Sequence, residues 1–188
     1  MGTEERNLIV EYVLTSEENL LLSSQIVKAF DSVLEKLAKA FFEQLENELL
    51  LMLGDEWRVY NDIKDDIMGK KSFSISKKMW NGLYAIGLYP ERTRLRDFDF
   101  YVWRKKEIIS SPNKVINKLI NENYKKGNIY ENGDWWQFVD NCYLNWNDEE
   151  TLIKLYEKNE MVSYFKEQFI KIKNIVELTI DNEIIKYI

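Results

Sequence analysis

A run of apolar residues between Ile26 and Leu45 sets the first constraint on the fold. Ile26, Phe30, Val33, Leu37, Phe41 and Leu45 recur every three or four positions, with Glu35, Lys36, Glu43 and Glu46 between them. That spacing gathers the apolar side chains on one face of a helix and the charges on the other. It predicts a long helix opening at Ser23 or Ser24 and stopping at Gly54, a residue that accepts the left-handed backbone with which helices end. The preceding stretch, Leu8–Leu14, is β-branched and apolar and reads equally as a short strand or as helical turns.

The periodicity then changes. Trp57–Tyr60 reads as a strand, and Phe73–Ile75 as another that leads into Lys77–Trp80. Asn81-Gly82 is a turn signal between apolar runs. Leu83–Tyr89 reads as a strand stopped by Pro90, and Asp97–Trp103 alternates like a strand with one wet face. Helices return at Ser111-Pro112, an N-cap and first-turn pair for a helix to about Lys126. Gly127 and Gly133 bracket a loop. Asn147-Asp148-Glu149-Glu150 opens a further helix in the manner of a capping box. A last helix from about Met161 carries Phe165, Phe169, Ile172 and Val176 on one face. The expected fold is α+β: a long N-terminal helix, a central antiparallel β-sheet of three to five strands, and C-terminal helices packed on the sheet. One domain is expected over 1–188, mainly helical at 1–56, β-rich and basic at 57–110, and mainly helical at 111–188. A length of 188 residues, 45% of them hydrophobic, supports a core of that size.

Residue types exclude several chemistries. The chain has no histidine and one cysteine, Cys142. The commonest general base and metal ligand is therefore missing, as are Ser-His and Cys-His nucleophile pairs and a Cys/His zinc site. The lone cysteine has no internal disulfide partner, which suits a reducing compartment. Met1–Arg6 lacks the basic and apolar regions of a secretory signal, and Arg6 stands where a myristoylation signal requires Ser or Thr. Apolar runs such as Leu49–Leu53 are too short to span a bilayer. The expectation is a cytoplasmic chain with no membrane partner and no cofactor.

Charge is segregated along the chain. Residues 1–56 carry four basic and twelve acidic side chains, residues 57–127 sixteen and eight, and residues 128–188 six and twelve. In the basic middle, Lys77, Lys78, Arg92, Arg94, Arg96, Arg104 and Lys105 are interleaved with Trp80, Tyr84, Tyr89, Tyr101 and Trp103. Cations near flat rings suit a phosphate backbone with stackable bases. These cations, with Trp80 and Tyr101, are the candidate binding residues, for nucleic acid or for an acidic protein surface. The competing reading pairs them with the acidic helices of the same chain.

Other constellations are weaker. Asp62-Ile63-Lys64, with Asp55 or Glu56 upstream, fits locally the acid-X-Lys pattern that holds Mg²⁺ and assists an attacking water, but the spacing is short for two core strands. Asp97 and Asp99 would share a strand face among Arg94, Arg96 and Arg104, where ion pairing is the expected use. Ser74 and Ser76 have no base partner. Trp135, Trp136, Phe138, Tyr143 and Trp146 form the densest aromatic cluster, expected in the core. No catalytic residue and no metal ligand is assigned.

Gly133–Asp140, Asn145–Glu150 and Met161–Glu177, together with Trp80–Leu88 and Phe100–Lys105, resemble the C-terminal accessory region of a group of bacterial proteins classed with the PD-(D/E)XK nuclease superfamily. The resemblance covers roughly residues 30–180. In that group the nuclease domain lies upstream, and this chain has no room for it, so no catalytic residue carries over. The resemblance implies a stand-alone copy of the accessory part, which recognises DNA, contacts a partner or interferes with a related defence nuclease; the leading expectation is a non-catalytic binding or regulatory module whose basic β region is the contact surface, with nucleic acid as the favoured ligand. The alternatives are a protein-interaction module or inhibitor of a defence nuclease, presenting acidic helices, and a Mg²⁺-dependent nuclease using Asp62 and Lys64. Leu49–Leu53 packs internally or forms a homodimer seam.

Overall fold

The computed structural model describes residues 3–124, 135–138, 143–157 and 159–187, with the backbone alone at 135–138. The fold is α+β. In chain order the elements are α1 (Thr3–Val13), α2 (Glu17–Leu53), β1 (Trp57–Asn61), β2 (Phe73–Lys77), β3 (Tyr84–Arg92), β4 (Arg96–Arg104), α3 (Lys114–Asn123), β5 (Trp135–Phe138), α4 (Glu149–Glu157) and α5 (Asn159–Ile184). Single 3-10 turns lie at Asp62–Asp65 and Lys78–Trp80. The chain divides into two compact units, Met1–Lys36 and Leu37–Ile188, with the boundary inside α2.

In the first unit, Leu8–Val13 is helical, which resolves the ambiguity of that apolar stretch. The long helix begins at Glu17, several residues before Ser23. Ser16 is the reason: its Oγ accepts from the Asn19 backbone N–H at 3.1 Å and satisfies a donor that a helix start leaves open.

The second unit is a five-stranded antiparallel meander in the order β1-β2-β3-β4-β5, with helices on it. Alternation along the strands sends Ile75, Ile86, Leu88, Phe98, Phe100 and Val102 to one face, all fully buried. Phe42 of α2 stacks on Phe73 at 5.6 Å and on Trp146 at 5.1 Å. From α5, Phe165 and Phe169 meet Phe100 at 5.8 and 5.6 Å. Offset and edge-on ring pairs at these distances add to the burial of the rings themselves. The expected apolar face of the last helix, Phe165, Phe169, Ile172 and Val176, is at most 1% exposed.

Three boundaries differ from expectation, each for a local reason. β3 continues through Pro90 to Arg92. Its ladder with β2 ends at Phe73↔Leu88, so Pro90 pairs only with β4, and the missing N–H of proline costs no hydrogen bond on the other side. α3 starts at Lys114 because Asn113, rather than Ser111, is the cap: its side chain accepts from the N–H groups of Val115 and Ile116. Trp135–Phe138 is a strand paired with β4 from Trp103↔Trp135 to Phe100↔Phe138, an element the sequence did not signal, while Trp146 and Tyr143 of the same aromatic cluster pack on Phe165 of the last helix as expected. The loop expected around Gly127 and Gly133, and Cys142, lie outside the described residues. At Asn81 and Gly82 φ is +49° and +72°, the left-handed pair that the Asn-Gly turn signal implies.

Replacing Phe42 by alanine removes the ring shared by β2, β4 and the Trp146 segment. The expected loss is about 4 kcal/mol of unfolding free energy, with the midpoint in urea shifted and the denaturant slope unchanged.

Candidate functional site

The residues singled out from the sequence fall into four places. Lys77, Trp80 and Arg104 lie on the helix-covered side of the sheet. The Lys77 ammonium is 2.8 Å from Glu177 and 2.6 Å from Asp181 of α5. The same Asp181 accepts from the Trp80 indole N–H at 2.7 Å. Tyr84 donates to Glu183 at 2.7 Å, and the Asn113 amide donates to the same carboxylate oxygen at 2.8 Å. Arg104, 2% exposed, donates to the Ile109 carbonyl. Lys77 and the Trp80 indole therefore pair with acidic α5, as the competing reading of the charge split proposes.

Titration follows from these contacts. Burial opposes the charge on Lys77, but its bonds to Asp181 and Glu177 outweigh that and hold its pKa above the ordinary 10.5. Burial also opposes the charge on Glu177, and bonds from Lys173 and Lys77 hold it below 4.5. Burial first, then Glu183, pushes the Tyr84 phenol far up, with Arg104 pulling the other way.

Tyr101 points to the opposite face of the sheet, yet it is only 4% exposed. Register explains this. Tyr60, Ser74, Gly87 and Tyr101 form one row across β1 to β4, and the Tyr101 ring lies over Gly87, where a Cβ would strike it. The phenol shares hydrogen bonds with Ser72 and Ser74, while burial pushes its pKa up. A neighbouring row carries Arg58 opposite Ser76, and Ala85 opposite Trp103. Together these rows make a groove of about 360 Å³ lined by Tyr60, Asp62, Ser72, Ser74, Ser76 and Trp103, with Gly82 at one end. That volume lies in the range of small-molecule and nucleoside sites. Ser76 is already engaged, donating to the Tyr84 carbonyl at 2.7 Å.

Lys78 and Lys105 are exposed and follow β2 and β4 at the sheet end where Gly82 turns the chain. Arg92, Arg94 and Arg96 occupy the β3–β4 hairpin at the other end, about 30 Å away for a nine-residue strand. There Asp97 forms an ion pair, as expected of that carboxylate, but with Arg92 at 2.8 Å rather than with Arg94, Arg96 or Arg104. Arg94, Leu95 and Asp97 all take positive φ, and the backbone is pinned by bonds from Arg94 to Met68 and from Trp146 to Leu95. The nine sequence candidates thus do not converge on one surface. Asp62-Ile63-Lys64 forms a 3-10 turn with Ile63 buried, so Lys64 does not follow the acid on a strand. Among the described residues, no three His, Cys, Asp or Glu side chains gather as a metal set, and no helix is long and apolar enough to cross a membrane.

The groove residues outside the nine candidate binding residues include Tyr60, Asp62, Ser72, Ser74, Ser76 and Trp103. Their signal was present in the alternation: polar or aromatic residues occupy every second position of β1, β2 and β4. Compared with protein-family models, curated proteins and solved structures, the chain matches none.

The Lys77–Asp181–Trp80 junction makes a stability prediction. Asp181→Ala leaves the Lys77 charge and the indole N–H without that partner and costs about 3 kcal/mol in chemical unfolding. The contribution of Glu177, whose folded pKa is depressed, is complete above its ordinary 4.5 and fades as pH falls through the depressed value. That of Lys77, whose folded pKa is raised, is complete below 10.5 and fades as pH rises above it. Lys77→Met should flatten both limbs of the stability–pH curve.

Proposed function

We propose that the chain is a non-catalytic binding module that takes single-stranded nucleic acid on the outer face of its sheet. The observation that carries this reading is the aromatic-walled groove beside three exposed cations. Tyr60 and Trp103 offer ring faces on which a base can stack. Hydroxyls of the serine row and the Asp62 carboxylate offer hydrogen bonds to a base edge. Arg58, Lys78 and Lys105 lie towards the Gly82 end, where phosphates would run. Antiparallel sheets with exposed rings and flanking cations bind single strands in this manner, since every base has a π-face and every linkage a charge.

The reading uses two of the nine sequence candidates, Lys78 and Lys105, as phosphate contacts. Lys77, Trp80 and Arg104 support the sheet from behind. Presentation of acidic helices as a DNA mimic draws less support, because Glu177, Asp181 and Glu183 face Lys77, Trp80, Tyr84 and Asn113.

Fluorescence anisotropy with a labelled single-stranded oligonucleotide tests the proposal. Trp103→Ala should weaken binding about tenfold, the value of one lost stacking contact. Arg58→Glu, Lys78→Glu and Lys105→Glu together should lower the slope of log affinity against log salt by about 2. Charge reversal at Lys77 or Arg104 is no test of binding, since it breaks the fold. Undetectable binding to both RNA and DNA strands, or binding that ignores salt and Trp103, defeats the reading.

A further inference from the structure

The Met1–Lys36 unit carries an apolar surface that the described residues leave open. Every described side chain of α1 from Glu4 to Tyr12 is exposed, including Leu8, Ile9, Val10 and Tyr12. On the first half of α2, Leu20, Leu21, Leu22, Ile26, Val27 and Val33 are between 48% and 75% exposed. Spread over several faces of the two helices, these side chains amount to on the order of 1,000 Å² of apolar area, of which Leu22, Ile26 and Val33 on one face of α2 hold roughly a quarter. An 11-residue helix with no packed face is also marginal in water on its own. On α2, Leu22, Ile26 and Val33 are apolar, exposed and call for an occupant.

Charge selects which one. At 100° per residue, Leu22, Ile26, Ala29 and Val33 form a stripe on α2, with Glu18 and Lys36 on the same flank of it. When two such helices pack antiparallel, like flanks meet. Centred near residue 27, antiparallel packing sets Glu18 of each copy beside Lys36 of the other while Leu22 closes on Val33. A parallel pair brings no such opposite charges together. A lipid surface is disfavoured, because this unit carries seven acidic and three basic side chains, the reverse of what anionic headgroups attract.

We propose that the chain self-associates as an antiparallel dimer through the first half of α2, with Leu22, Ile26 and Val33 in the seam and Glu18–Lys36 pairs across it. The occupant is a second copy of this chain. This inference stands apart from the groove and does not depend on what the groove binds.

Sedimentation or light scattering of the full chain over a concentration series tests it. The expected result is a dimer. Ile26→Asp should weaken the dimer at least about tenfold. Because Ile26 is exposed, the thermal transition of the folded chain should persist, and circular dichroism checks this. Glu18→Lys alone and Lys36→Glu alone should each weaken the dimer at low salt, and the double variant should restore it. A monomer at every concentration overturns the proposal. So does a dimer indifferent to Ile26→Asp, or one in which the double charge variant fails to recover. A monomer that instead sediments with phosphatidylserine vesicles, or that forms a stoichiometric complex with a different protein, also overturns it.

Discussion

The aromatic layer between the sheet and its helices is the contact on which the rest of the larger unit depends. Phe42 from α2, Phe73, Phe98 and Phe100 from the strands, Trp146, and Phe165 and Phe169 from α5 come together in it from five separate stretches of chain. None of these stretches has enough apolar area to fold alone. Once the rings interlock, the strand register is fixed, because a slip of one residue would turn every ring to the wet side. Fixed register then decides what the outer face shows. Gly87 must fall beneath Tyr101, and Ser74 and Ser76 must line up beside it. The groove is in this sense the reverse side of the core.

The polar contacts between sheet and helices follow the same order. Lys77 and Arg104 share the parity of Ile75 and Val102, so the alternation that buries those apolar residues carries the two cations inward. A cation sent inward needs a partner, and α5 provides Glu177 and Asp181 one turn apart along its edge. Asp181 serves both Lys77 and the Trp80 indole, so a single carboxylate ties a strand end and the following 3-10 turn to the last helix.

The elements whose signals are local were legible in the sequence: the α2 periodicity, the Asn81-Gly82 turn, the strand at Asp97–Trp103, and the α5 stripe. The α+β class and the antiparallel sheet followed from these. What was not legible depended on neighbours distant in sequence. Pro90 reads as a strand stop until it is known that β2 has already ended beside it. Trp135–Phe138 shows no strand signal of its own, and only its pairing with β4 makes it the fifth strand. The site was the least legible part. Nine residues chosen for charge and aromaticity ignore parity along the strands, so the choice mixed inward Lys77 and Arg104 with outward Tyr101 and with Arg92, Arg94 and Arg96 at the far hairpin. Serines at alternate positions, dismissed for want of a base partner, turned out to line the groove.

The alignment of a basic middle segment with an acidic last helix has a kinetic side. Lys77 and Asp181 are separated by 104 residues, so their meeting closes a very long loop. Attraction between oppositely charged segments raises the rate at which they find each other, and dissolved ions shorten its reach to about 10 Å at 0.1 M. Added salt therefore weakens the attraction that draws α5 onto the sheet. Long before any ligand is met, the charge segregation visible in the sequence acts as a guide by which the chain brings its two ends of β and α structure together.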